Sequence, residues 1–281
     1  MLGSPVTTHA QNWQTWYHEF KGDIGGHKVT GWLLNRFGSL QGGYWYDKYA
    51  AEREAMGPRN DTFTIYLEGT QAGKKIELNQ TCWLCQDVPD PELFRGAING
   101  SSITGSWRLT SNKRRFLDFT LRFENDTSPY HLPPINPNDL ALYDQKDIWA
   151  SGFFSSSKVQ EQLKLVMGDH LEVYLDFLRR PMARYGFIRE AGYLYANLWI
   201  EDMYSDRTYI ILDPELDRIY VAWRGAPDGD KTRNDVEFYG SNFPERAKRL
   251  MLDNLSSSWG HVYDFTLSET RISAKRKNKS R

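Results

Sequence analysis

Two short motifs in the chain have the spacing of known chemistry. Cys82-Trp83-Leu84-Cys85 is a Cys-x-x-Cys. A structural zinc needs four ligands, and no second cysteine pair or finger-spaced histidine pair exists. A redox motif of the thioredoxin kind opens a helix after a strand, whereas this pair follows a β-run. The expectation is a Cys82–Cys85 disulfide pinning a local turn in an oxidising compartment, with two free thiols as the alternative. Ser155-Ser156-Ser157-Lys158 matches the Ser-x-x-Lys of serine penicillin-recognising enzymes, Tyr195-Ala196-Asn197 their Tyr-x-Asn, and Lys231-Thr232 part of their third box. The chemistry would be a serine nucleophile, a lysine base and a tyrosine proton shuttle. Arg233 replaces the expected glycine, and the C-terminal half is too short for that fold.

Carboxylates gather at Glu201, Asp202, Asp206, Asp213, Glu215 and Asp217, close in sequence to Trp199, Tyr204 and Trp223. A metal site or a carboxylate pair for glycoside hydrolysis is one reading, and a solvated, charge-blunted hairpin edge is another. The functional reading preferred is a partner-binding face with aromatic anchors and an acidic rim. His9, His18, His27, His131, His170 and His261 form neither His-x-x-His nor His-Glu-x-x-His. No Gly-x-Ser-x-Gly elbow or phosphate-cradling glycine loop is present. No catalytic residue, metal or cofactor is assigned.

Two modules must position these residues. Residues 1–15 read as a flexible start. From 16 to 126, eight short runs separated by Gly, Asn or Asp turns predict an antiparallel β-meander or barrel-like module. Phe119-Thr120-Leu121-Arg122-Phe123 shows the period-two alternation of a half-buried strand. Val29-Thr30-Gly31-Trp32 returns as Ile103-Thr104-Gly105-Ser106-Trp107, which suggests bends where a ring overlies a glycine. The proline-rich stretch 127–140 reads as a linker. Residues 141–268 predict an α+β module: a helical stripe from Lys158 to Leu178, four strands, and a helix starting at Pro244. The fold class expected is therefore mainly β to α+β.

The formal net charge is −1, yet the last eleven residues hold six bases and no acid. Residues 269–281 read as a solvated basic tail on an acidic body, which argues against a nucleic-acid partner. No run of about 18 apolar residues marks a membrane span. Met1-Leu2-Gly3-Ser4-Pro5 is no signal peptide. A leader removed ahead of it implies a periplasmic chain; a native start at Met1 implies a cytoplasmic one.

One resemblance accompanies these readings. Phe20-Lys21-Gly22-Asp23-Ile24-Gly25-Gly26, Gly43-Tyr44-Trp45-Tyr46-Asp47-Lys48-Tyr49, Ile76-Glu77-Leu78, Phe94-Arg95-Gly96 and Ile103-Thr104-Gly105-Ser106-Trp107 form a series. It resembles a β-rich module of bacterial envelope proteins over about residues 16–124. The chain departs from it by the insertion Ala50–Asp61 and by the Cys-x-x-Cys. The two-part layout is similar to periplasmic immunity proteins of type VI secretion effectors. That resemblance implies a non-enzymatic protein that occludes a cell-wall-degrading toxin. The alternatives are a small-ligand or glycan carrier using the barrel interior, and a hydrolase using the acidic cluster or Ser155/Lys158.

Overall fold

The computed structural model describes residues 13–56, 63–81, 90–112, 114–124, 127–180, 182, 186–200, 203–224, 236–257, 263–267 and 271–276. The alternating runs become β1 (Thr15–Ile24), β2 (His27–Arg36), β3 (Ser39–Tyr46), β4 (Ile65–Ala72), β5 (Lys75–Thr81), β6 (Glu92–Asn99), β7 (Ser102–Leu109) and β8 (Leu117–Phe123). Each pairs antiparallel with the next, and β8 returns to β1 from Phe20↔Phe123 to Ile24↔Phe119, closing an eight-stranded barrel. Closure removes the unpaired edges of an open sheet. A short helix, α1 (Ala50–Met56), lies inside the insertion between β3 and β4.

The barrel interior is filled by its own side chains. Phe20, Val29, Leu33, Tyr44, Phe94 and Phe119 are among the buried residues that pack there. The mid-strand glycines make that filling possible. A Cβ on Gly31 would meet Phe20 Cζ at 2.5 Å, and Gly96 and Gly105 face each other across β6 and β7 so closely that a Cβ on Gly105 would lie 2.1 Å from the Arg95 carbonyl oxygen. The repeated Thr-Gly rhythm is thus a packing device. Aromatic rings occupy the interior in which the carrier reading placed a ligand.

The stretch expected as a linker, 127–140, is mostly exposed, with Leu140 alone buried, but hydrogen bonds tie it to the segment that follows. Proline gives up its N–H but keeps a carbonyl that accepts. Pro137 O accepts from Tyr143 Oη and from Ser156 Oγ, both at 3.1 Å, and Asp147 N donates to Tyr130 O at 3.0 Å. Leu140, Tyr143, Ile148, Trp149, Phe153 and Phe154 are buried in the largest apolar cluster. Burial pushes the Tyr143 hydroxyl up to about 12, so it stays a neutral donor.

The expected second module follows, three layers deep. Ser156 caps α2 (Ser157–Met167), and the helical stripe breaks at Gly168 (φ 51°) before resuming as α3 (Leu171–Arg179). The sheet contains β9 (Ile188–Glu190), β10 (Tyr193–Ile200), β11 (Met203–Asp213), β12 (Arg218–Arg224), β13 (Val236–Tyr239), β14 (Tyr263–Leu267) and β15 (Arg271–Arg276). Their order across the sheet is β14-β15-β13-β12-β11-β10-β9. One face packs on α2 and α3 through Leu194, Leu198, Ile210 and Val221. The other packs on α4 (Glu245–Ser257) through Tyr209, Ile211 and Tyr220 against Ala247 and Met251. The basic tail is corrected here: Arg271–Arg276 forms β15, pairing with β13 and β14. Its charges masked a period-two pattern in which Ile272 and Ala274 alternate with polar residues.

The two modules share one core. Tyr17, Leu34 and Phe37 of the barrel belong to the same cluster as Trp149, Phe154 and Leu178. Phe37 meets Phe154 edge-on at 4.9 Å between ring centroids.

Candidate functional site

The acidic and aromatic residues expected to form one face are dispersed. Trp223 is only 4% exposed and lies 5.2 Å from both the Tyr174 and the Phe177 ring, so it is core. Asp213, 5% exposed, turns inward to cap its hairpin: Oδ1 accepts from Glu215 N at 3.1 Å and Leu216 N at 2.9 Å. Glu215 and Asp217 are exposed on that turn. Trp199 is half-buried beneath the Arg207 guanidinium, 5.4 Å from its ring centroid. Trp199 pairs with Arg207 in the middle of β11, whereas Asp213 ends the strand; the six residue steps between them span about 20 Å. Tyr204 and Asp206 lie within β11, and Glu201, Asp202, Cys82 and Cys85 fall outside the described residues.

The Ser-x-x-Lys constellation does not assemble. Lys158 Nζ donates to Asn138 O at 2.6 Å and pairs with Asp217. Its amine is taken up by these two acceptors. Ser155 adjoins α2, on the sheet face covered by α2 and α3, while Tyr195 is buried on the α4 face, where Oη donates to Glu190 Oε2 at 2.9 Å. Among the described residues, no three His, Cys, Asp or Glu side chains come together to hold a metal.

The structure does bring together a cleft between the modules, about 720 Å³ in volume. One wall is the start of β1, where Trp16 and His18 stack at 5.2 Å and His18 stacks on Phe123 at 4.4 Å. β8 pairs with β1 only from Phe20 onward, so this wall lies beyond the closed part of the barrel. The second wall is the proline-rich segment, where His131 meets Tyr17 at 4.9 Å. The third is Ala150–Ser156. It is set by the buried Asp147, whose Oδ1 accepts from Trp149 N and Ala150 N at 2.8 Å each, and by the left-handed turn at Gly152.

Two hydroxyls in these walls have no hydrogen-bond partner. Thr15 is 7% exposed and Ser151 fully buried, and Thr15 Oγ1 and Ser151 Oγ are both unsatisfied. An unpaired buried hydroxyl costs about 1–3 kcal/mol. Among the described residues, Glu124 is the one carboxylate on the lining, where it pairs with Lys21 at 3.0 Å, and none of those lining residues is a lysine or arginine. Sequence reasoning named Ser155, which does line the cleft, but for other chemistry. The rest was missed because three remote segments build it, and its proline-rich wall carries the composition of a tether.

A second polar feature lies at one end of the barrel interior. Tyr44 Oη donates to Glu92 Oε2, and both residues are buried. Burial holds the Glu92 carboxyl above the usual glutamate range and holds the Tyr44 hydroxyl far above the usual phenol range.

No protein-family model, curated protein or solved structure matches the chain.

Proposed function

We propose that this chain is a non-enzymatic binding protein of the bacterial envelope that takes its partner at the cleft between barrel and α+β module. The observation that carries this reading is the contrast between the two places a ligand would sit. The barrel interior is packed with its own rings, whereas the cleft is open and lined by β1, the proline-rich segment and Ala150–Ser156. Sites between modules with mostly apolar walls and a few fixed polar groups are the usual form of a binding pocket. The hydrolase reading loses support from the ion-paired Lys158.

The narrower form of the proposal is an immunity protein, periplasmic and directed against a peptidoglycan-active type VI effector. It rests on the barrel-module resemblance. In that form a projecting segment of the toxin enters the cleft, and the exposed Glu215 and Asp217 lie outside the contact.

Ser155 is exposed and lines the cleft, so Ser155→Trp fills it without disturbing the core. Native mass spectrometry of the full chain after incubation with bacterial envelope extract tests the proposal. A bound species on the wild type that is lost from Ser155→Trp supports it; equal binding by both proteins contradicts it. Protection of cells against a co-expressed effector tests the immunity form.

A further inference from the structure

We infer that the inter-module cleft takes a small carboxylic acid with an apolar body, its carboxylate met by His18 and His131; this rests on the cleft being the binding site. The volume, about 720 Å³, lies within the roughly 300–1,000 Å³ of small-molecule sites. Much of the wall is apolar: Trp16, Leu132, Pro133, Pro134, Pro137 and Ala150 all line it. Leu132 keeps 43% of its surface exposed, apolar area that a ligand body takes out of water.

The head group follows from which lining residues can carry charge. Across the three walls these are Tyr17, His18, Glu124 and His131 among the described residues. Tyr17 Oη donates to Glu19 Oε1 at 3.3 Å and is a neutral phenol. Glu124 pairs with Lys21, and the two charges offset. The two histidines remain, and both are half-buried rather than sealed. His18 packs on the Trp16 and Phe123 rings, and His131 packs on the Tyr17 and Tyr130 rings at 4.9 and 5.2 Å. Histidine is the side chain whose charge changes between about pH 5 and 8. Below that range the lining is positive. An imidazolium has two N–H donors, so each ring can keep a contact within the protein and still meet a ligand. Phosphate recognition draws instead on arginine, lysine or clustered backbone N–H groups, and no arginine or lysine is among the described lining residues.

The charge on the histidines gives a test that a merely apolar pocket would not pass. Naphthylacetate and naphthylacetamide share a shape and differ in charge. Isothermal titration calorimetry of the full chain with each, at about pH 5.5 and about pH 8, supplies two arms, and inorganic phosphate supplies the third. A bound carboxylate holds the imidazole protons in place, so affinity falls as pH rises through the histidine range. The expected result is saturable binding of the acid at the lower pH, about tenfold tighter than the amide and about tenfold tighter than at the higher pH. His18→Gln and His131→Gln each weaken acid binding about fivefold and leave amide binding unchanged. His131→Lys retains acid binding at both pH values, because its charge persists, and Ser155→Trp abolishes it. Acid and amide binding equally at both pH values, lost in Ser155→Trp, overturns the charged head and leaves the cleft as the site. Acid binding that survives Ser155→Trp overturns both. Acid binding unchanged in both glutamine variants, phosphate binding tighter than the acid, or no saturable binding of the acid overturns the carboxylic acid assignment.

Discussion

The Arg36 guanidinium of the barrel donates from Nη1 to the Met182 carbonyl of the second module at 3.2 Å, and from Nη2 to Gln41 Oε1 at 2.6 Å. Arg36 is 1% exposed and lies over the Trp149 ring, 5.8 Å from its centroid. A charge this deeply placed is retained only where hydrogen bonds surround it. It ties the barrel to the second module through the Met182 carbonyl.

Arg36→Ala leaves the Met182 carbonyl and the Gln41 amide oxygen without this donor in the core. We expect a loss of about 3 kcal/mol. Because Tyr17 and Phe37 pack in the same cluster as Phe154 and Leu178, wild type should unfold in one transition. Denaturant titration followed by tryptophan fluorescence and by far-ultraviolet circular dichroism checks this. Separate transitions in the wild type would show that the modules are independent.

Gly105→Ala places a methyl group where the Arg95 carbonyl and Gly96 Cα already stand, at 2.1 and 2.5 Å. The strands must separate, at a cost of about 3 kcal/mol. Gly100→Ala meets no nearby atom, and its cost comes only from its positive φ of 61°. Thermal melts should therefore rank Gly105→Ala well below Gly100→Ala.

Much of this was legible beforehand. Eight runs are expected in the N-terminal half and eight strands form there, because alternation such as Phe119-Thr120-Leu121 is a local signal. The Gly-aromatic rhythm pointed correctly to tight backbone packing. Local pattern failed where burial depends on remote partners. Trp223 and Asp213 group into a partner face by the carboxylates and rings near them in sequence, yet Tyr174 and the backbone of Glu215 claim them. Pro133, Pro134 and Pro137 read as a tether because composition does not report that Pro137 O accepts from Ser156 or that His131 of the same segment meets Tyr17 of β1.

Glu92 makes the barrel's stability depend on pH. Its folded-state pKa is raised above the ordinary 4.5, mainly by burial. The folded protein therefore holds this proton more tightly than the unfolded chain. The associated stability is fully present below pH 4.5 and is lost as pH rises through the folded value. Glu92→Gln keeps the shape and removes the titration. The variant should be more stable than wild type at pH 8, with the difference shrinking toward pH 4. A difference that grows on acidification would contradict the burial argument.

Thr15→Val and Ser151→Ala remove hydroxyls that lack partners. Each should leave the empty protein equally stable or up to about 1 kcal/mol more stable. Scanning calorimetry decides, and a clear loss in both variants would mean that the hydroxyls are satisfied internally.

Asp213→Ala separates the two sites considered for partner binding. Its carboxylate caps the β11–β12 turn, so its loss should cost about 1 kcal/mol and leave binding unchanged.

The most direct test of binding at the cleft is amide hydrogen exchange on the full chain, with the extract-derived ligand retained and with it removed. Slower exchange on binding is predicted at residues 14–18, 127–137 and 150–156, with the turn at 213–217 unchanged. Protection confined to 213–217 would contradict the cleft and restore the acidic turn as the binding surface.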